Sequence, residues 1–454
     1  MASTTAKTFS DALASRPVRR FQWITVTICL FILVSDGIDM QLLGILAPLI
    51  ITDFGVDRGT FGLAMSAALV GFGLGGWAGG MMGDRVGRRY ALAAAAIIFG
   101  IGTIAAGQAG SVGSMALWRL VSGIGFGAAY TNALTMASEW LPDRLRPITV
   151  STLSVGTPIG GAVVGWVAPA LAQAYSWRLT FVVFGIATLF LIFVILTVLR
   201  DSPSFLIARG RKAEAQAIAR KVLDEDIDLV PERHRADDGS SGAVGVLHRS
   251  NLRMNVGVCT SFTACALVAY AILNWSTTFL TAAGFTLAQA GNAVSVAGIT
   301  SMVAAIAAGF LSRQFGTRGV MLGISASLFV CIVALGFFVE TLSPTPSATE
   351  RLIVVSLIGA AAAAFSGGIA TMYVIMTHGY PPSCRSSGIG FGIFMSRVGA
   401  VSASAFGGAL LELGNGSVIP FFAVLAIGAI LVSAASFIVD NHMPAAGRAN
   451  PLPA

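Results

Sequence analysis

Two carboxylates and two guanidinium groups stand where the surrounding chain is almost wholly apolar. Asp36 and Asp39 lie in Val34-Ser35-Asp36-Gly37-Ile38-Asp39, in the middle of the run Trp23 to Ile50. Residues three apart on a helix share a face, so both acids are expected to point the same way. An Asp at the centre of a bilayer costs roughly 2.5–3.5 kcal/mol on insertion scales. Two on one face need an aqueous cavity, a partner or a proton. Satisfaction by neighbouring helices is one reading, and a substrate and proton pathway is the favoured one. Arg119 and Arg397 also lie inside apolar runs. A guanidinium cannot deprotonate there and demands an anion or a carbonyl. Arg397 falls near the middle of the run 386–411, where a substrate carboxylate can pair with it through two parallel hydrogen bonds. For Arg119, pairing with an Asp of the first run is the structural alternative. Ionised Asp36 and Asp39 repel an anionic substrate, so proton and substrate binding should favour each other. That is the logic of symport.

Tyr130, Asn132, Tyr270, Asn274, Trp275 and Tyr373 add stacking surfaces and hydrogen-bonding groups to these runs. Pockets for planar ligands are built this way, although membrane aromatics also serve as packing and interface anchors. A second charged group follows the second run: Asp84, Arg85, Gly87, Arg88 and Arg89, joined after the fourth run by Glu139, Arg144 and Arg146. A lone acid among arginines at a helix junction reads as a charged gate, against the plainer reading of positive charge gathered on the inner side. The chain has no phosphate-binding loop of the Gly-x-x-x-x-Gly-Lys-Ser type, so ATP-driven transport is not supported. It also has no nucleophile beside a base in a recognisable setting, so an enzyme fits poorly. Four of the five cysteines fall in apolar runs and the fifth in a short basic loop, which suggests neither disulfides nor a metal site. No cofactor is expected, with protons as the coupling ion.

These residues must be positioned by membrane-spanning helices. The chain is 55% hydrophobic and 11% charged, against roughly 25% charged in soluble domains, and its mean hydropathy is +0.81. After the first run come 60–81, 91–110, 114–138, 148–172 and 177–199, then 254–280, 287–311, 318–339, 352–377, 386–411 and 418–440. Each is near the twenty or so residues a bilayer requires. With the N-terminus inside, the outer loops carry only Arg58, Arg178 and Arg351, so both termini are expected to be cytoplasmic. The net charge of +7 is scattered between spans, which argues against a nucleic-acid partner. Residues 1–22 read as a cytoplasmic tail, as do 441–454. The inner segment 200–253 divides the spans six and six, with an amphipathic helix over Arg209 to Leu223 and a linker at Asp237 to Gly242.

The halves repeat each other. Glu139-x-x-Pro142-x-x-x-Arg146 ends the fourth span, and His378-x-x-Pro381-x-x-x-Arg385 ends the tenth. Gly80-x-x-x-Asp84-Arg85-x-Gly87-Arg88-Arg89 follows the second span. A degraded copy, Gly309-x-x-x-Arg313-Gln314-x-Gly316-Thr317-Arg318, follows the eighth. Repeated bundles of this kind hold their binding site between the halves, near mid-membrane. The segment Gly80 to Arg89 closely resembles the loop-2/3 signature of the major facilitator superfamily. Arg119-x-x-x-Gly123-x-Gly125-x-Gly127 resembles its fourth-helix motif, and Ser202-Pro203-Ser204-Phe205-Leu206 its end-of-helix-six motif. Asp36-Gly37-Ile38-Asp39 is similar to the first-helix signature of its aromatic acid:proton symporters, as are Gly156 to Gly160 and Gly388 to Gly399. Two positions depart: Tyr130-Thr131-Asn132 lacks the Pro that often precedes the Asn, and the second-half loop has lost its acid.

The resemblance implies an all-α membrane protein with two six-helix bundles, 23–199 and 254–440, placed as a monomer in the bacterial inner membrane. It implies import of a small organic anion with protons by alternating access, most directly an aromatic carboxylate such as a hydroxybenzoate. Its alternatives are a porter for another organic anion, a sugar acid or a sugar, then a drug:proton exporter, and from another class a non-transporting sensor. It supports Asp36 and Asp39 in proton coupling, Arg119 and Arg397 at the substrate, and the Asp84 group as a cytoplasmic gate.

Overall fold

The computed structural model describes residues 8–14, 16–142, 145, 149, 152–223, 229–230, 245–381 and 384–445. Among them, twelve helices are long and apolar enough to cross a membrane. The first six are α1 (Arg20–Phe54), α2 (Arg58–Val86), α3 (Arg88–Gly107), α4 (Val112–Glu139), α5 (Gly156–Ala174) and α6 (Trp177–Val198). The second six are α7 (Leu252–Ala282), α8 (Leu287–Phe315), α9 (Thr317–Glu340), α10 (Ala348–Gly379), α11 (Arg385–Leu413) and α12 (Ile419–Ile438).

Local chemistry sets where these helices begin and end. Asp57 caps α2, accepting the Thr60 N–H at 2.6 Å, and Ser176 caps α6 through the Leu179 N–H at 3.1 Å. Thr286 and Ser347 open α8 and α10 with full capping boxes. Gly55 ends α1 in the left-handed region at φ 62°, which costs a glycine little. Gly87 and Gly316 also have positive φ, 102° and 75°, at the matching α2–α3 and α8–α9 junctions. The backbone thus repeats where the sequence signature repeats.

Packing follows the same repeat. In the first set α2 packs on α4, α3 on α6 and α1 on α5; in the second α8 packs on α10, α9 on α12 and α7 on α11. The sets meet through α1 with α7, α2 with α11 and α5 with α8, pairings that exchange into one another when the halves are swapped. Glycine, alanine and serine at these crossings let backbones approach closely.

The meeting lies at one end. Thr277 donates its hydroxyl to the Gly44 carbonyl, Ser295 to the Ala162 carbonyl at 2.8 Å, and the Trp166 indole to Asn292 at 3.0 Å. All lie toward the end where α2 begins and α11 finishes. At the opposite end, which carries Asp84, no hydrogen bond or ion pair joins the two sets among the described residues.

Outside the spans the structure corrects two expectations. The segment ahead of α1 is not simply a tail: Phe9–Ala14 is helical, and Phe9 packs edge-on against Trp140 at 5.9 Å. The amphipathic linker helix begins later than expected, at Lys212–Leu223, because Gly210 takes a positive φ of 75°. Asp237 to Gly242 lies outside the described residues.

Candidate functional site

The two acids of α1 have different partners. Gly37 lets α1 press on the backbone of Thr157 in α5, where any side chain would overlap. That contact delivers the Thr157 hydroxyl to Asp36 Oδ2 at 3.1 Å and leaves Asp36 Oδ1 buried and unpartnered. Asp39 instead accepts from Arg119 Nη1 at 2.6 Å and from the Thr103 hydroxyl at 2.9 Å. Arg119 Nη2 also donates to the Asp39 carbonyl at 3.2 Å. Asp36, Asp39 and Arg119 are only 4%, 2% and 2% exposed. The expectation of one acidic face is therefore corrected. Asp36 turns toward α5, while Asp39 turns toward α3 and α4 and is neutralised there.

Arg397 of α11 is differently placed. Its Nη1 donates to the Tyr270 hydroxyl at 3.0 Å, and its guanidinium carbon stands 4.1 Å from the centroid of the Phe72 ring. Its Nε has no hydrogen-bond partner, and among the described residues no carboxylate forms an ion pair with it. Tyr130, Tyr373 and Asp36 lie within its electrostatic reach. Phe72 belongs to an aromatic column with Phe126 at 4.6 Å and Tyr130 at 5.6 Å. Tyr373 sets its ring edge against buried Phe262 at 5.6 Å and keeps 39% exposure. The arrangement is a cation walled by aromatic rings, with Nε and Nη2 free of any carboxylate. It suits a planar anion.

Phe72 was not among the sequence candidates. Its one visible signal is a bulky ring in the small-residue run Gly71-Phe72-Gly73.

Other candidates make helix-to-helix contacts in this state. Asn132 donates to the carbonyls of Gly79 and Ala128, each at 2.8 Å, and clamps α4 to α2. Asn274 donates to Ser404 at 2.7 Å and the Trp275 indole to the Ala403 carbonyl at 3.3 Å, tying α7 to α11. Arg119 is held by Asp39 at 2.6 Å.

The Asp84 group forms a cluster inside the first bundle. Arg88 pairs with Asp84 at 2.7 Å and with Glu139 at 3.1 Å, and the Ser202 hydroxyl donates to Glu139 at 2.7 Å. The Arg89 N–H donates to Asp201 at 2.9 Å, and Arg209 donates to the Asp84 carbonyl at 2.5 Å. A Cβ at Gly87 would press on the Asp201 carboxylate, so the junction needs glycine on two counts. Burial raises the Asp201 carboxyl above its ordinary range, opposed by the Arg89 backbone and by Arg89 and Arg211. Arg85 is exposed, and Arg144 and Arg146 lie outside the described residues. The cluster braces α2, α3, α4 and the start of the linker, and in this state it does not reach the second bundle among the described residues.

A family model described as Major Facilitator Superfamily matches residues 29–403. The chain is 28% identical to the 4-hydroxybenzoate transporter PcaK of Acinetobacter baylyi, over 93% of this chain and 92% of the relative. It is 28% identical to a gallate transporter of Pseudomonas putida, over 89% of each. Among solved structures, the partially occluded inward-open xylose transporter XylE of Escherichia coli superposes with a TM-score of 0.70 at 16% identity. That match covers 96% of this chain and all 100% of the other.

Proposed function

We propose that this chain, which belongs to the Major Facilitator Superfamily, imports a small aromatic carboxylate together with protons across the bacterial inner membrane. It is a multi-pass transporter, similar over about nine-tenths of its length to transporters of aromatic acids. The observation that carries the substrate reading is Arg397, a fixed positive charge among aromatic rings that forms no ion pair with a carboxylate among the described residues.

A substrate carboxylate takes the Nε and Nη2 positions in plane. Tyr270 already accepts from Nη1, so its own hydroxyl hydrogen is free to reach the same carboxylate. The ring then lies among Phe72, Tyr130 and Tyr373. Hydroxylated benzoates, of the kind named for the relatives, have the matching shape and charge.

Asp36 carries the proton in this reading. Of the two acids it is the one whose hydrogen-bond partner among the described residues is neutral, and its Oδ1 awaits a donor. Asp39 keeps Arg119 as its partner throughout. Ionised Asp36 offers Arg397 an internal counter-charge in the empty carrier. Protonated Asp36 releases that charge to the substrate anion. Empty and fully loaded carriers then bury the same net charge, whereas the half-loaded forms do not. Rocking of the two bundles moves the site between the two sides. With the arginine-rich end cytoplasmic, the bundles here are closed toward the outside.

The test is uptake of labelled 4-hydroxybenzoate into proteoliposomes with an imposed proton gradient, acid outside. Accumulation that collapses with a protonophore is expected, with no competition from a sugar acid. Uptake of the sugar acid in preference, or accumulation indifferent to the gradient, would overturn the reading.

A further inference from the structure

We propose that Glu412 is a latch that holds the transporter shut at the end away from Asp84, by capping the start of α2 from the opposite bundle. Glu412 lies in the last turn of α11, and its Oε1 accepts the backbone N–H of Arg58, the first residue of α2, at 2.5 Å. This N–H is one of those a helix leaves without an internal partner. A carboxylate at a helix N-terminus gains from the helix dipole and from a charge-assisted bond. The helix's own cap does not duplicate it. Asp57 takes the N–H and the hydroxyl of Thr60, both at 2.6 Å.

Glycines make the approach possible. A Cβ on Gly59 would stand 3.2 Å from Glu412 Oε2, one on Gly62 would overlap the Ala405 carbonyl, and one on Gly408 the Arg58 carbonyl. The other side-chain hydrogen bonds between the bundles, from Thr277, Ser295 and Trp166, involve neutral groups. Among the described residues Glu412 therefore supplies the charged one. When the bundles part at this end, the bond must break and Arg58 N–H returns to water.

The inference rests on the rocking-bundle reading above and adds to it the residue that biases the rocking. It also yields a backbone test. Proline is favoured at the first helical position and has no N–H. Asp57, at φ −74° and ψ 160°, already has the conformation that a residue before proline requires. Arg58→Pro therefore deletes the donor and leaves the helix, whereas Arg58→Ala deletes the side chain and keeps the donor.

Spin labels at Tyr175 and Thr341, on the two bundles at this end, report the gap by pulsed electron resonance in the reconstituted full-length protein without its native cysteines. Glu412→Ala and Arg58→Pro should each move the closed-to-open ratio toward open by about five- to thirty-fold. The double variant should shift no further than either single one, and Arg58→Ala should match the wild type. Equal distances in Arg58→Pro and Arg58→Ala, or effects of Glu412→Ala and Arg58→Pro that add, would overturn the latch. A wild-type distance unmoved by 4-hydroxybenzoate and by pH would overturn the rocking-bundle reading, and the latch with it.

Discussion

Asp36 and Asp39 are three residues apart and chemically identical, yet their neighbours differ: Thr157 for Asp36, Arg119 and Thr103 for Asp39. Asp36→Asn should keep exchange of labelled substrate across the membrane while losing proton-driven accumulation, because the amide imitates the protonated acid. Retained accumulation at the wild-type rate would remove Asp36 from coupling. Asp39→Asn should act on folding, since it leaves Arg119 buried without its counter-charge. Breaking such a pair costs about 3–5 kcal/mol, which thermal unfolding in detergent would register as a large fall in Tm. Phe72 adds a third case. Phe72→Leu removes the ring under Arg397, and a cation–π contact of about 0.5–2 kcal/mol corresponds to a rise in KM of about two- to thirty-fold. Phe72→Tyr should restore it, and an unchanged KM in Phe72→Leu would leave the ring as packing. The four intramembrane charges were legible in the sequence because a charge in an apolar run is costly and conspicuous. Which acid is paired was not, since Thr103 and Thr157 arrive from other helices and look ordinary in their own.

Helices were readable from apolar length, with α1 and α10 running a turn or more beyond their apolar runs. Small-residue runs were not: packing and gating use the same residue types. The structure separates them by neighbour. Gly71, Gly75 and Gly79 face α4 within the first bundle, whereas Gly62 and Gly298 face α11 and α5 across the seam. Gly75→Val should therefore destabilise the fold, because the added atoms meet the Ile124 backbone. Gly298→Val should leave Tm little changed and wedge the seam. The readout is thiol labelling of Thr277→Cys, which should become faster in Gly298→Val; unchanged labelling would return Gly298 to ordinary packing. The Asp84 motif is a further case. Sequence spacing suggested a gate, and in this state, open at that end, its partners Arg88, Glu139 and Arg209 all belong to the first bundle and its linker. With Asp84 largely exposed, Asp84→Asn should change stability by less than about 1 kcal/mol.

Across the whole molecule, the repeat of charged loops foretold two halves of six helices, and the swapped contacts of α2 with α11 and α5 with α8 display that symmetry. The end at which the halves touch was not legible, because it depends on a balance between two packed states of one chain. Between those halves stands Arg397, held by Tyr270 and Phe72 and proposed above to receive the substrate carboxylate. Isothermal titration of 4-hydroxybenzoate into the purified transporter tests this most directly, comparing wild type with Arg397→Lys and Arg397→Gln. Both substitutions should weaken binding by roughly 1–3 kcal/mol, Gln more than Lys, since an ammonium keeps the charge but cannot make the planar two-point contact. The neutral analogue 4-hydroxybenzamide should bind all three proteins weakly and alike. Undiminished affinity for 4-hydroxybenzoate in Arg397→Gln would contradict the account.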